Sequence, residues 1–121
     1  MPSCSVLVAE DDANLRLITI RYLQQQGYTV YGAADGETAR TALEQDAINV
    51  AVLDLDLLRL DGWALAQELR GRELRPKVVV LTAVQDIEIM KEQMPADPYL
   101  IKPFALLQLL RVLERLCPPT A

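Results

Sequence analysis

The sequence predicts one α/β domain, a five-stranded parallel sheet with helices on both faces. Three observations carry this. Short β-branched runs alternate with stretches of helical apolar spacing along the whole chain. Two of the runs are apolar without interruption, as strands buried on both faces must be. The chain has 121 residues, 51% of them hydrophobic and 24% charged, which is one domain of ordinary size and usage.

The first strand is Ser5–Ala9, ending in the acidic cluster Glu10, Asp11 and Asp12. A helix over 13–26 follows, with Leu15, Ile18, Tyr22 and Leu23 at near-helical spacing and Gly27 as its stop. Residues 28–31 read as the second strand. Residues 36–46 read as a helix with Ala39, Ala42 and Leu43 inward. The third strand, 50–53, is continuous apolar sequence and runs into Asp54. Asp61-Gly62 opens a helix carrying Trp63, Leu65, Ala66 and Leu69. The fourth strand, 78–81, ends at Thr82. Residues 85–94 carry a thin helical stripe of Ile87, Met90 and Met94, which Pro95 terminates. Tyr99–Ile101 is a short fifth strand leading into Lys102-Pro103, and 105–116 is the closing helix. Residues 117–121 form a free end or the start of a linker. Right-handed crossovers leave few arrangements of five such units, and the flavodoxin-like (βα)5 three-layer sandwich with strand order 2-1-3-4-5 is the one expected.

Composition excludes several functions. Twelve basic against seventeen acidic residues leave a net charge of −5, which argues against nucleic acid as a direct partner. No apolar run reaches the ~18 residues of a membrane span, so no membrane association is expected. The absence of histidine removes histidine-based triads, nearly all zinc sites and any histidine phosphocarrier role for this chain. Two cysteines, Cys4 and Cys117, are too few for a disulfide scaffold, so a reducing cytoplasm is expected.

The functional signal is where the polar residues fall. Sheets of this kind bind ligands beyond the carboxyl ends of their strands, at the switch in strand order. Strand one delivers Glu10 and Asp11 to that edge, strand three Asp54, strand four Thr82, and strand five Lys102. Carboxylates converging in one crevice repel one another unless a cation is present. Mg²⁺ suits them, since it takes carboxylates and waters and binds phosphate oxygens. A carboxylate nucleophile, a metal, a hydroxyl and a lysine together make a phosphoryl-transfer site with an aspartyl-phosphate intermediate. The blander alternatives are a helix cap for Asp11 or Asp12 and plain packing for Trp63 and Tyr99. An EF-hand is excluded, because Leu58 and Arg59 stand where that loop needs an oxygen ligand and a glycine.

The segments V-L-V-A-E-D-D (6–12), V-L-D-L-D-L (52–57), D-G (61–62), V-V-V-L-T-A (78–83) and Y-L-I-K-P-F (99–104) resemble the receiver domain of two-component response regulators. The resemblance runs nearly end to end. It implies that Asp54 is the phosphoacceptor and that a sensor histidine kinase or histidine phosphotransfer protein is the donor. It implies Mg²⁺ held by Asp11, Asp54 and the backbone carbonyl of Asp56, with Glu10 assisting through water. Thr82 would hydrogen-bond the phosphoryl group, Lys102 would pair with it, and Tyr99 would report the switch. The Lys102–Pro103 peptide is usually cis in the family. The chain would then catalyse only its own phosphorylation and dephosphorylation and would signal to a downstream output domain or protein. It would be a monomer or a weak phosphorylation-linked dimer.

Three departures stand out. Leu58 replaces the usual Pro, Asp56 adds a carboxylate beside the metal site, and the stretch between Thr82 and Tyr99 is short. V-L-D-L-D-L is also similar to the D-x-D opening of haloacid-dehalogenase-type phosphatases. That motif lies on the first strand with Gly-Thr after its second Asp, whereas Leu57-Leu58 follow here. A degenerate receiver that is never phosphorylated and acts only as a docking module is the remaining alternative. The acidic crevice and the missing hydroxyl- or glycine-rich phosphate loop argue against a flavin carrier.

Overall fold

The computed structural model describes residues 4–45, 47–57, 69, 76–93 and 97–117. Five parallel strands form one sheet: β1 (Ser5–Ala9), β2 (Thr29–Ala33), β3 (Val50–Asp54), β4 (Lys77–Thr82) and β5 (Tyr99–Ile101). Their order is β2-β1-β3-β4-β5, the expected flavodoxin-like arrangement. The helices are α1 (Ala13–Gln25), α2 (Gly36–Gln45), the single turn α3 (Leu55–Leu57), α4 (Ile87–Gln93) and α5 (Leu106–Leu116).

The continuous apolar strands are explained by covering on both faces. Alternate residues of one strand enter different cores, because successive strand side chains point to opposite faces. Leu7, Ala9, Ala51, Leu53 and Val80 pack on one side with Ala39 and Leu43 of α2, Leu69, and Met90 of α4. Val6, Val8, Val50, Val52, Val79 and Leu81 pack on the other with Leu23 of α1 and Leu109, Leu110 and Leu113 of α5. Of the expected helix opened by Asp61-Gly62, Leu69 is described and buried in helical backbone. Trp63, Leu65, Ala66, Leu58, Met94, Pro95 and the 118–121 tail lie outside the described residues.

The local signals act as their chemistry requires. The Asp12 carboxylate accepts the Leu15 N–H at 3.0 Å and caps α1. Gly27 then ends that helix with φ of 101°, a backbone region that glycine enters without a Cβ clash. The Lys102–Pro103 peptide is cis. The segment after β4 is short, a 3₁₀ turn over Val84–Asp86 followed by the seven residues of α4. Among the described residues, no helix is long and apolar enough to cross a membrane.

Three expectations need correction. Ile18 does not face inward: it is 55% exposed, while Thr19 and Leu23 are buried. At 100° per residue Ile18 lies about 120° round α1 from the Thr19–Leu23 midline. The second strand is Thr29–Ala33 rather than 28–31, because pairing with β1 continues to Ala9↔Ala33 while the Tyr28 N–H turns back to the Leu23 carbonyl. The two cysteines, read as too few for a disulfide scaffold, form a Cys4–Cys117 disulfide. The partners are 113 residues apart in sequence, and only the packing of α5 across the sheet brings Cys117 to the start of β1.

Burial therefore separates two leucine-like positions on the same domain. Leu109→Ala should lower the free energy of unfolding by about 3 kcal/mol, whereas Ile18→Ala should change it by less than ~0.5 kcal/mol. Urea denaturation of both variants checks this; a comparable loss in each would place Ile18 in the core after all.

Candidate functional site

Strand register fixes the site. Ala9 is paired with Leu53, so the residues that follow them, Glu10 and Asp54, leave adjacent central strands at one level. Asp54 is in turn paired with Leu81, which places Thr82 one residue further along β4. Thr82 is paired with Ile101, and Lys102 follows directly. The Lys102 N–H donates to the Thr82 carbonyl at 2.7 Å, carrying the pairing one residue past β5.

The side chains converge as the strand ends do. One carboxylate oxygen from each of Glu10, Asp11 and Asp54 lies within 4.8 Å of the others. Glu10 and Asp54 are buried, and Asp11 is exposed at the rim. The Lys102 ammonium donates to Glu10 Oε2 at 3.0 Å and also to Asp54 Oδ2. The remaining carboxylate oxygens are held by backbone. Asp54 Oδ1 accepts the Asp56 N–H at 2.9 Å, and Glu10 Oε1 accepts the Asp12 N–H at 3.1 Å.

The other expected residues sit around this cluster in differing states of engagement. Thr82 is buried, and its hydroxyl donates to the Ala83 carbonyl at 3.0 Å rather than to a site carboxylate. Tyr99 is 36% exposed. It pairs with Val80 in the register that also pairs Ile101 with Thr82, so Tyr99 and Thr82 share a face of the sheet. The Asp56 side chain is exposed. A cleft of about 300 Å³ lined by Leu15, Lys102, Pro103 and Phe104 opens beside the lysine.

One participant was not anticipated from sequence. Arg16, one turn into α1, donates from Nη1 to the backbone carbonyl of Glu10 at 2.8 Å. The Glu10 N–H donates to the Ala33 carbonyl at 3.0 Å. The residue that turns β1 into α1 is thus tethered through both backbone groups. No spacing signal in the sequence marks Arg16.

The electrostatics follow from burial. Glu10 is pushed up from 4.5 to about 7, first by desolvation and then by its neighbour Asp54, with Lys102 only partly opposing. Burial works to lower the Lys102 pKa, but its bonds to Asp54 and Glu10 outweigh this and raise it. Three carboxylates with all-oxygen donors fit a hard divalent cation, which takes such ligands and offsets their repulsion.

A folded pKa above the unfolded value stabilises fully below the unfolded value and less as pH rises through the folded one. Without divalent cations, wild-type stability should therefore fall, relative to Glu10→Gln, as pH rises from 4.5 to about 7. At ~1.4 kcal/mol per pKa unit the relative loss is ~2–3 kcal/mol. Thermal melts across that range check it, and parallel curves for the two proteins would contradict it.

The sequence and the fold are similar to those of known proteins. A family model described as the response regulator receiver domain matches residues 6–114. The probable transcriptional regulator ycf27 of Porphyridium aerugineum is 39% identical over 102 residues, covering 83% of this chain and 42% of that protein. The transcriptional regulatory protein PdtaR of Mycobacterium tuberculosis is 32% identical over 112 residues, covering 90% and 54%. The chain thus spans about half the length of these curated relatives. The solved receiver domain of the Francisella response regulator 1452 is 29% identical with a TM-score of 0.83, covering 93% of this chain and 95% of that one. Strand order, the carboxylates and lysine at one sheet edge, and a match over 6–114 agree: this chain belongs to the response regulator receiver domain family.

Proposed function

We propose that this chain is a phosphorylation-regulated switch that takes a phosphoryl group from a phosphohistidine onto Asp54. The observation that carries the reading is the Lys102 ammonium held between Glu10 and Asp54, with Asp11 beside them at the open edge. A sensor histidine kinase or histidine phosphotransfer protein is the donor, and the cytoplasm is the compartment.

In the transfer, an Asp54 carboxylate oxygen attacks phosphorus. An O–P bond forms and the N–P bond of the donor breaks; the electron pair returns to the imidazole nitrogen, which then takes a proton. Little covalent chemistry falls to the protein, so positioning and charge neutralisation carry the rate. The Asp56 N–H fixes one Asp54 oxygen and thereby the carboxylate plane. Lys102 moves from the carboxylates to the transferred oxygens, where its point charge is more effective. Asp11, Asp54 and the Asp56 carbonyl, with Glu10 through water, are the groups that would hold Mg²⁺, whose charge would offset the carboxylates and phosphoryl oxygens.

The response runs through Thr82 and Tyr99. The Thr82 hydroxyl rotates from the Ala83 carbonyl to a phosphoryl oxygen, and Tyr99, on the same sheet face, moves into the space released. Tyr99, Ile101 and Leu107 are exposed large side chains at this end of the sheet, a surface whose shape such a movement changes for a downstream output domain or protein. The chain acts on itself alone, as a monomer or as a dimer weakly linked to phosphorylation.

Incubation with acetyl phosphate and Mg²⁺ should add one phosphoryl mass to wild-type protein and none to Asp54→Ala, read by intact mass spectrometry. Addition that persists in Asp54→Ala overturns the assignment. No addition to wild type would instead identify a docking module that is never phosphorylated.

Mg²⁺ affinity gives a second check. Asp11→Asn should bind Mg²⁺ at least ~10-fold more weakly while its metal-free stability rises slightly, since one of three crowded like charges is gone. A destabilised metal-free variant with unchanged Mg²⁺ affinity would remove Asp11 from the cation site.

A further inference from the structure

We propose that Cys4 and Cys117 form a reversible thiol–disulfide pair, a redox-modification site at the sheet edge opposite Asp54. The two are joined in the structure with Cα atoms 6.0 Å apart, inside the usual range for a disulfide. Cys4 precedes the central strand β1 and is 5% exposed; Cys117 follows α5 and is half-buried. Six residues of extended chain separate Cys4 from Glu10, so the pair lies ~20 Å from the phosphoacceptor edge.

The end of α5 is fastened there by more than the sulfurs. The Tyr28 hydroxyl donates to the Cys117 carbonyl at 3.0 Å. The Lys77 ammonium donates to the Leu116 carbonyl at 3.1 Å. The Cys117 N–H closes the last helical turn on the Leu113 carbonyl at 2.7 Å. These polar bonds hold the Cys117 end, and Cys4 is fixed by its burial in the core, so both sulfurs stay within reach whether or not they are joined. Oxidation then needs no refolding, and reduction loosens the last turn of α5 without releasing it from these bonds or dismantling the core beneath it.

Cys117, the less buried of the two residues, is the one placed for attack. A low-molecular-weight thiolate attacks Cys117 Sγ, forming a mixed disulfide and releasing the Cys4 thiolate, which takes a proton. A second thiolate attacks the mixed disulfide, releasing the Cys117 thiolate and the small-molecule disulfide. Two electrons pass from two small thiols to the protein disulfide, and the reverse sequence re-forms the bond. In a reducing compartment, protein disulfides are typically transient and redox-sensing rather than structural. The reversible assignment in this respect rests on the cytoplasmic reading given above.

The test uses the full chain in glutathione buffers of stepped reduced-to-oxidised ratio, quenched with maleimide and read by mass. Both thiols should disappear together into an intramolecular bond within the range of those buffers. Amides of 113–117 should exchange at least ~10-fold more slowly in the oxidised form, which should also melt higher. Cys4→Ser and Cys117→Ser should match reduced wild type at every ratio, and reduced wild type alone suffices if either fails to fold. Thiols that stay reactive in the most oxidising buffer overturn the proposal. So do a bond that resists the most reducing buffer, glutathione adducts without ring closure, and forms alike in melting and exchange. Beryllofluoride binding at Asp54, measured in both forms, reports on the phosphoryl reading separately and should survive reduction.

Discussion

The Lys102 ammonium between Glu10 and Asp54 is the interaction on which the site depends. Two carboxylates within 4.8 Å of each other repel by at least about 3 kcal/mol at an effective dielectric of ~20, and three such groups share this edge. Burial adds a further cost to the charged form of Glu10, visible in its upward shift. A single lysine cannot balance three carboxylates. Fully ionised, Glu10, Asp11, Asp54 and Lys102 leave an excess of two negative charges, the amount a divalent cation supplies. The site is thus built with an unbalanced charge that a divalent cation would fit.

The fold makes this arrangement rigid. Glu10, Asp11 and Asp54 end or directly follow β1 and β3, whose residues are packed on both faces, so these three cannot retreat without disturbing a core. Backbone contacts complete the fixation: Asp56 and Asp12 N–H groups hold the carboxylates, and Arg16 holds the Glu10 carbonyl. Thr82 is the exception. Its hydroxyl donates to the neighbouring Ala83 carbonyl, a local bond governed by one torsion, and not to a site carboxylate. In the proposed reading, that hydroxyl is the part of the site that changes partner.

Much of this was legible in the sequence because the pleat leaves few options. An apolar run such as V-A-V-L ending in Asp54 can put that residue only at a strand terminus, and four strands end in the same manner. The remainder needed three-dimensional information. The run L-I-T-I in α1 offers apolar residues at several helical phases, so the side on which Ile18 lies is decided by packing. Glu10 and Lys102 are 92 residues apart and Cys4 and Cys117 are 113 apart; no local pattern encodes either pairing. Arg16 acts on a backbone carbonyl, which carries no residue signature.

The claim that Lys102 and Asp54 stabilise one another is tested most directly by a double-mutant cycle, Lys102→Met with Asp54→Asn, in urea without divalent cations. Breaking one side of a buried ion pair leaves an uncompensated charge, while removing both does not. A coupling energy above ~1 kcal/mol that shrinks when Mg²⁺ is added is the expected result. Additive losses, unchanged by Mg²⁺, would contradict the account.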